Sequence, residues 1–315
     1  MRADLSAAQA LRNLVSRWGS SLPDVEFVVE TQDTSFQDLS EAGESGAGQP
    51  AAGGAWSNPH YRLPVMRHCR ADSGLDITVP IFHFYTLAYD ELFLQNSSRW
   101  AAENPWERRL PKAFAAGTAY HRHQGVPATT RAWDGKHAGE KVENVRLEFS
   151  AYTESELRHP GILYSGGHTP IAEWVNYRMV MHMDGISCSS RLPQLLTLGS
   201  VVLREVSGYQ AFFDKLLQKF VHYVPFWAHR PREVLWAYNW VNSNTEAAQR
   251  VAAAGAAFAR EYLNRQAVEC YWLLLLQQYA RLQRFAPGQR KGQPLQLVPI
   301  DTWLAQQVRA ERPGS

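Results

Sequence analysis

Cysteine is scarce. The three present, Cys69, Cys188 and Cys270, stand far apart with no Cys-x-x-Cys or Cys/His spacing. Spacing therefore reveals neither a zinc site nor a disulfide framework, and at most one bridge can form. No apolar run approaches the roughly 20 residues of a membrane span; the longest, Leu273 to Leu276 beside Trp272, is far shorter. The first residues carry no apolar secretory stretch, and the chain as written ends in ERPGS rather than a retention tetrapeptide. Charge of one sign is not in excess either. With 32 basic and 30 acidic residues the net charge is +2, too balanced for a protein whose main task is to neutralise a nucleic-acid backbone. Lysine is rare among the basic residues, so most of that chemistry falls to arginine, whose rigid fork of donors suits phosphate and carboxylate. No internal repeat is present.

What the chain does have is apolar and aromatic mass. It has 315 residues, 45% of them hydrophobic, with 11 Trp, 13 Tyr and 13 Phe, which is enough to build one large or two ordinary domains. Residues 1 to about 20 read as a helix with Leu5, Ala8, Leu11, Leu14 and Val15 near a 3.6 period, followed by a short strand at Val25 to Glu30. A Gly/Ala/Ser-rich stretch at about 38–58 reads as a loop. Strand-like pieces recur at YRLPVM, ITVPIFHF, GTAYH, NVRLEFSA, YRMVMHMDG and GSVVLR, separated by segments of helical period, the alternation of a parallel α/β sheet. Beyond Tyr238 the pattern is helical, with Asn242, Ser243 and Asn244 as N-cap candidates and Glu246 in a first turn.

The most informative stretch runs from Tyr177 to Phe226. Met179 to Met183 reads as a buried strand, Asp184 and Gly185 turn out of its carboxyl end, and Ser189 to Leu198 begins a helix with Pro193 in its first turn. A helix start at that sheet edge offers free N–H groups to an anion, and Arg191 adds charge-assisted donors.

The order of Tyr177-Arg178, HMDG, SSR, LLTLGSVVL, FF, KFVHYVPF, AAAGAAFAREYL and ECYW resembles the signature half of glycosyltransferase family 90, the Rumi-type protein O-glucosyltransferases and their capsule-associated relatives. PDVEFVVETQD, LDITVPIFHF and PWERR…TAYHRHQ extend the resemblance upstream in the same order. It implies a GT-B fold, two facing Rossmann-like domains with a C-terminal helix crossing back: an acceptor-side domain at 1–116, a nucleotide-sugar domain at 117–262, and a helix and tail at 263–315. It implies an inverting transfer of glucose or xylose from a UDP-sugar to a protein or glycan hydroxyl, with EGF-like domains among the acceptors. The lumen of the endoplasmic reticulum or Golgi is its implied compartment.

On single residues, the resemblance makes Asp76 the base that takes the proton of the acceptor hydroxyl, with Asp72 its nearest competitor. Ser189 and Arg191 match the donor-binding serine and arginine, Asp184 and Gly185 the turn before them, and Arg122 a second arginine on the phosphates. His123 follows Arg122 where the family has glycine, so a side chain crowds the phosphate approach. That departure opens a second reading, an inactive relative that binds a nucleotide sugar or a partner protein; a third is a wall or capsule polysaccharide transferase. Glu205 faces either a ribose or solvent, and His222 and Tyr223, on a loop, face either the nucleotide base or the core. Cys270 matches a family cysteine that needs a partner, with Cys69 and Cys188 the candidates. Trp100, Trp106, Phe114 and Tyr120 read as core. His121 and His123 share one side of a strand but lack further ligands, and the chain has no Asp-x-Asp pair to seat a divalent ion on the diphosphate. No metal or other cofactor is expected; arginine and the helix dipole take that charge.

Overall fold

The structure, a computed structural model, describes residues 3–31, 65–71, 76–80, 91–118, 145–287 and 297–310. In chain order these form α1 (Ala3–Trp18), β1 (Val28–Val29), β2 (Val65–Arg67), β3 (Arg70–Ala71), β4 (Ile77–Thr78), α2 (Glu91–Glu103), β5 (Leu110–Ala116), α3 (Val145–Tyr152), β6 (Ile162–Ser165) and β7 (Tyr177–His182). There follow α4 (Leu192–Thr197), β8 (Val201–Glu205), β9 (Tyr209–Gln210), β10 (Val224–Phe226), α5 (Glu233–Ser243), α6 (Thr245–Tyr262), α7 (Arg265–Leu282) and α8 (Ile300–Ala310). The α/β class expected from the alternation is the class observed.

Five strands pair in the order β10-β8-β7-β5-β6, every pair parallel. A parallel sheet is covered on both faces, so its strands read as continuous apolar runs rather than alternations. β8 is buried throughout and β7 over its last four residues, with Met179, Val180, Val201 and Leu203 at the centre of the core. The β5–β7 register shifts between Leu110 and Ala113, around Pro111, which has no N–H to give to a ladder. A second parallel sheet, β1-β2-β4, belongs to the N-terminal part, and the antiparallel pair β3–β9 joins the two parts.

The helices close over the sheets. At Gly255 in α6 an added Cβ would stand 2.7 Å from the backbone oxygen of His222, so the absence of a side chain sets how closely α6 approaches the turn before β10. Asn264 caps α7, accepting from the Ala267 N–H at 2.9 Å. α7 returns to the N-terminal part as expected. The buried Glu269 carboxylate takes Arg17 of α1 at 2.7 Å and Arg265 at 2.9 Å, and the Tyr271 hydroxyl donates to the Thr78 carbonyl at 2.7 Å.

Several expectations are corrected. NVRLEFSA is helical: Val145, Phe149 and Tyr152 are buried at helical spacing while Leu147 is exposed, so its apparent alternation was coincidental. LPKAFAA, ILYS and VPF are strands instead. Asn244 precedes α6 without capping it; its side chain donates to the Trp240 carbonyl at 2.8 Å. A division after residue 116 leaves β5 with the first part, yet β5 lies between β7 and β6 in the five-stranded sheet. The 38–58 stretch lies outside the described residues.

Candidate active site

The carboxyl ends of β2 and β7 are brought together at one place. Cys69, just past β2, forms a disulfide with Cys188 on the loop leaving β7, and the Cys188 N–H points at the Cys69 sulfur at 3.0 Å. His68 Nε2 and Ser187 Oγ are 3.3 Å apart beside it, and Arg70 places two N–H groups on the Gln210 side-chain oxygen at 3.2 and 2.7 Å. Cys270, expected to need a partner, is a free and exposed thiol, because the other two cysteines are paired with each other. A concave space of about 270 Å³ opens at this junction, lined by His68, Cys188, Ser189, Pro193, Phe212 and Phe213 among others. Carboxyl edges of parallel strands are where α/β proteins bind ligands.

Asp184 organises the loop. Its buried carboxylate accepts the Ser189 N–H at 2.8 Å on one oxygen and the Ser207 hydroxyl on the other, and its own N–H donates to Glu205 Oε2 at 3.1 Å. The Gly185 N–H turns back onto the Ser187 carbonyl at 3.0 Å. Burial alone would raise the Asp184 pKa, but His182, Arg204 and the bonds from Ser189 and Ser207 outweigh it and hold it below the carboxylate range. Glu205, read as facing a ribose or solvent, is buried with one oxygen committed to that N–H. His182 closes β7 wholly buried, its Nε2 3.7 Å from Asp184, and burial pulls its pKa down to about 4, so the imidazole is neutral at neutral pH.

Arg191 stands just before α4. That helix has six residues, fewer than two turns, so the dipole expected there is small and the cationic side chain matters more. Its guanidinium donates to the Ala116 carbonyl at the end of β5 and lies over the Trp174 ring at 5.2 Å. A second guanidinium, that of Arg146, reaches the same corner: it donates to the Thr118 carbonyl at 3.2 Å and the Met183 carbonyl at 2.9 Å. Tyr164 donates to the Gly117 carbonyl at 3.3 Å; burial raises its pKa and the two arginines oppose the rise. Sequence reasoning missed Arg146 by taking its segment for a strand; an arginine on the buried face of an amphipathic helix was the available signal.

Asp76 is buried beside β4, its Oδ1 3.2 Å from Arg67 Nε in an ion pair enclosed on both sides. His222 accepts the Gln218 N–H on Nδ1 at 3.0 Å and packs its ring against Phe258. Tyr223 opens onto β10 rather than a loop; it is buried, with the Arg204 guanidinium 5.4 Å over its ring, and burial raises its pKa. Its core alternative is thus the one observed. Phe114 is core as expected, stacked on Tyr177 at 4.5 Å, whereas Trp100 sits edge-on to Phe93 and Trp106 beneath Arg178. Arg122, Asp72, Tyr120, His121 and His123 lie outside the described residues. Among the described residues there is no cluster of three or more His, Cys, Asp or Glu placed to hold a metal, and no helix long and apolar enough to cross a membrane.

The sequence is 28% identical over 295 residues to protein O-glucosyltransferase 2 of Danio rerio, covering 89% of this chain and 52% of that protein. It is 23% identical over 302 residues to protein O-glucosyltransferase 1 of Homo sapiens, covering 88% and 67%. The chain spans about half the length of the first of these. Among solved structures, HepE of Anabaena in complex with UDP-glucose superposes with a TM-score of 0.37 at 10% identity, covering 70% of this chain and 64% of that one. The sequence model of glycosyl transferase family 90 matches residues 2–304, and the chain belongs to that family.

Proposed function

We propose that this chain is an inverting glycosyltransferase that moves glucose or xylose from a UDP-sugar to a Ser or Thr hydroxyl of a protein, or to a glycan hydroxyl. Family membership and two relatives named as protein O-glucosyltransferases support the reaction class. The observation that carries the assignment to these residues is the Cys69–Cys188 bond with the β3–β9 pair. Together they hold the end of β2 and β3 against the loop that ends in Arg191 and against β9, and β2 pairs with β4 beside Asp76. The two parts then act as facing Rossmann-like halves of a GT-B enzyme, one built on β1-β2-β4 and the other on the five-stranded sheet, with α7 bracing them.

In this reaction the acceptor oxygen attacks the anomeric carbon from the face opposite the diphosphate, and the bond from that carbon to the diphosphate oxygen breaks. The acceptor proton passes to the Asp76 carboxylate, and the electron pair leaves on the diphosphate, inverting the carbon. Arg191 meets that growing charge, in the role a divalent ion plays where an Asp-x-Asp pair anchors one. A disulfide fits an oxidising compartment, so we place the protein in the secretory lumen. EGF-like domains are the acceptors to try first.

The test is UDP release from a panel of UDP-sugars, with and without a folded EGF-like domain, in wild type and Asp76→Asn. Acceptor-dependent release that disappears in the variant supports the assignment; equal release in both refutes the base. The enclosure of Asp76 with Arg67 favours one second reading, a relative that holds the donor without turnover. Its signature is donor binding by calorimetry with no release in the presence of any acceptor.

A further inference from the structure

We infer that the turn before β10 and the outer face of α5 form a docking surface for a lipid bilayer with anionic headgroups. Four large apolar side chains stand in solvent there: Leu216, Phe220 and Val221 before β10 and Trp236 on α5 are each 43 to 53% exposed. They are joined, not scattered. The Phe220 ring meets Trp236 edge-on at 6.0 Å and Trp240 at 5.6 Å, which links the turn and the helix into one aromatic surface. Single exposed apolar side chains are ordinary, whereas a contiguous group marks a surface that something covers. The turn is also built to hold its ring out. Phe220 has φ at +61°, the left-handed region that glycine and asparagine favour, and its N–H donates to the Tyr223 carbonyl at 2.7 Å while the His222 N–H donates to the Gln218 carbonyl at 2.9 Å. Little freedom is left to lose on docking.

Charge indicates what covers this surface. Two of the chain's six lysines, Lys215 and Lys219, are exposed in this one turn, and residues 215–223 include no acidic side chain. The carboxylates that flank the patch in sequence are turned to other partners: Asp214 takes Arg204 at 2.6 Å and the Ala211 N–H at 2.6 Å, and Glu233 takes the N–H groups of Ala228, His229 and Arg230. Cations therefore rim the rings unopposed. Lysine is depleted where proteins meet proteins, but at a bilayer interface its apolar stem lies beside aromatic rings while the ammonium group reaches the headgroups. The combination favours a bilayer over a protein partner. β10 begins at Val224, so the turn stands at the amino edge of the parallel sheet, whereas Asp184, Ser189 and Arg191 follow the carboxyl edge of β7. A docked molecule keeps its candidate active site clear of the lipid.

The experiment is co-sedimentation of the full chain with two kinds of vesicle, phosphatidylcholine alone and equal parts of phosphatidylcholine and phosphatidylglycerol, at low and high salt. Wild type is compared with Lys215→Gln/Lys219→Gln and with Phe220→Ser/Trp236→Ser, and melting curves without lipid show that each variant folds. Wild type is expected to sediment with the anionic vesicles, and less so as salt screens the headgroups. The lysine pair weakens that binding by roughly 10- to 100-fold, and the aromatic pair by about 10-fold or more. If the aromatic variant does not fold, the lysine variant, whose side chains are exposed, carries the test alone. A wild type that sediments with neither vesicle overturns the inference, as do equal binding to both vesicles and folded variants that bind like wild type. A dimer in sedimentation velocity that Phe220→Ser/Trp236→Ser dissolves, with no binding to vesicles, overturns it in favour of a second copy of this chain.

Discussion

Removing the Cys69–Cys188 disulfide by the double substitution Cys69→Ala/Cys188→Ala tests both the stability and the architecture of the site. The two residues are 119 apart in sequence. Closing a loop of that length removes unfolded-chain entropy equivalent to about 5 kcal/mol at 25 °C in the chain-entropy treatment. The native contacts around the bond persist without it: the β3–β9 pair, the Arg70–Gln210 fork and the His68–Ser187 contact. The loss is therefore carried mainly by the unfolded state. With a urea slope of about 3 kcal/mol/M the midpoint falls by roughly 1.7 M. Cys188 directly precedes Ser189, and its N–H loses the Cys69 sulfur as acceptor, so UDP affinity falls in the same variant through this one native contact. Cys270→Ser, which removes an exposed free thiol, leaves both quantities at wild-type values. A double variant that unfolds at the wild-type midpoint and binds UDP equally well would refute the account of this junction.

Two further predictions follow from groups buried in the core. The unfolded chain protonates His182 near its ordinary 6.5, whereas the folded chain resists until about pH 4. Stability contributed by this group is complete above about 6.5 and is lost as the pH falls towards 4, by up to about 3 kcal/mol; His182→Asn flattens that slope in urea titrations between pH 4 and 6.5, and an unchanged slope contradicts the assignment. Gly255→Ala places a methyl 2.7 Å from the His222 oxygen and costs about 1–3 kcal/mol, read from the urea midpoint at pH 7; a neutral effect means α6 can move away.

The parts of the fold legible in the sequence are those in which local pattern and burial agree. β7 and β8 are continuous apolar runs and their environment is a two-sided sheet interior, so Met179–Met181 and Val201–Leu203 read correctly. The turn at Asp184 and Gly185 was visible because a carboxylate and a glycine leave a strand together. β5 was hidden by its composition: AFAA has little β-branched content, and only its place between β7 and β6 makes it a strand. β10 was hidden by its length, three residues after an aromatic turn. The cysteine pairing has no local sign at a separation of 119, and Arg146 lost its meaning once α3 was taken for a strand. Glu205 was placed correctly at a strand end, but its partner is a backbone N–H 21 residues away in sequence, which no spacing reveals.

Stabilisation of the leaving diphosphate by Arg191 is read from the turnover number for sugar transfer by Arg191→Ala beside wild type, with melting curves for both. The variant is expected to fold and to transfer sugar roughly 100- to 1,000-fold more slowly, the loss of about 3–4 kcal/mol of transition-state stabilisation. A folded Arg191→Ala that transfers sugar at the wild-type rate would contradict it.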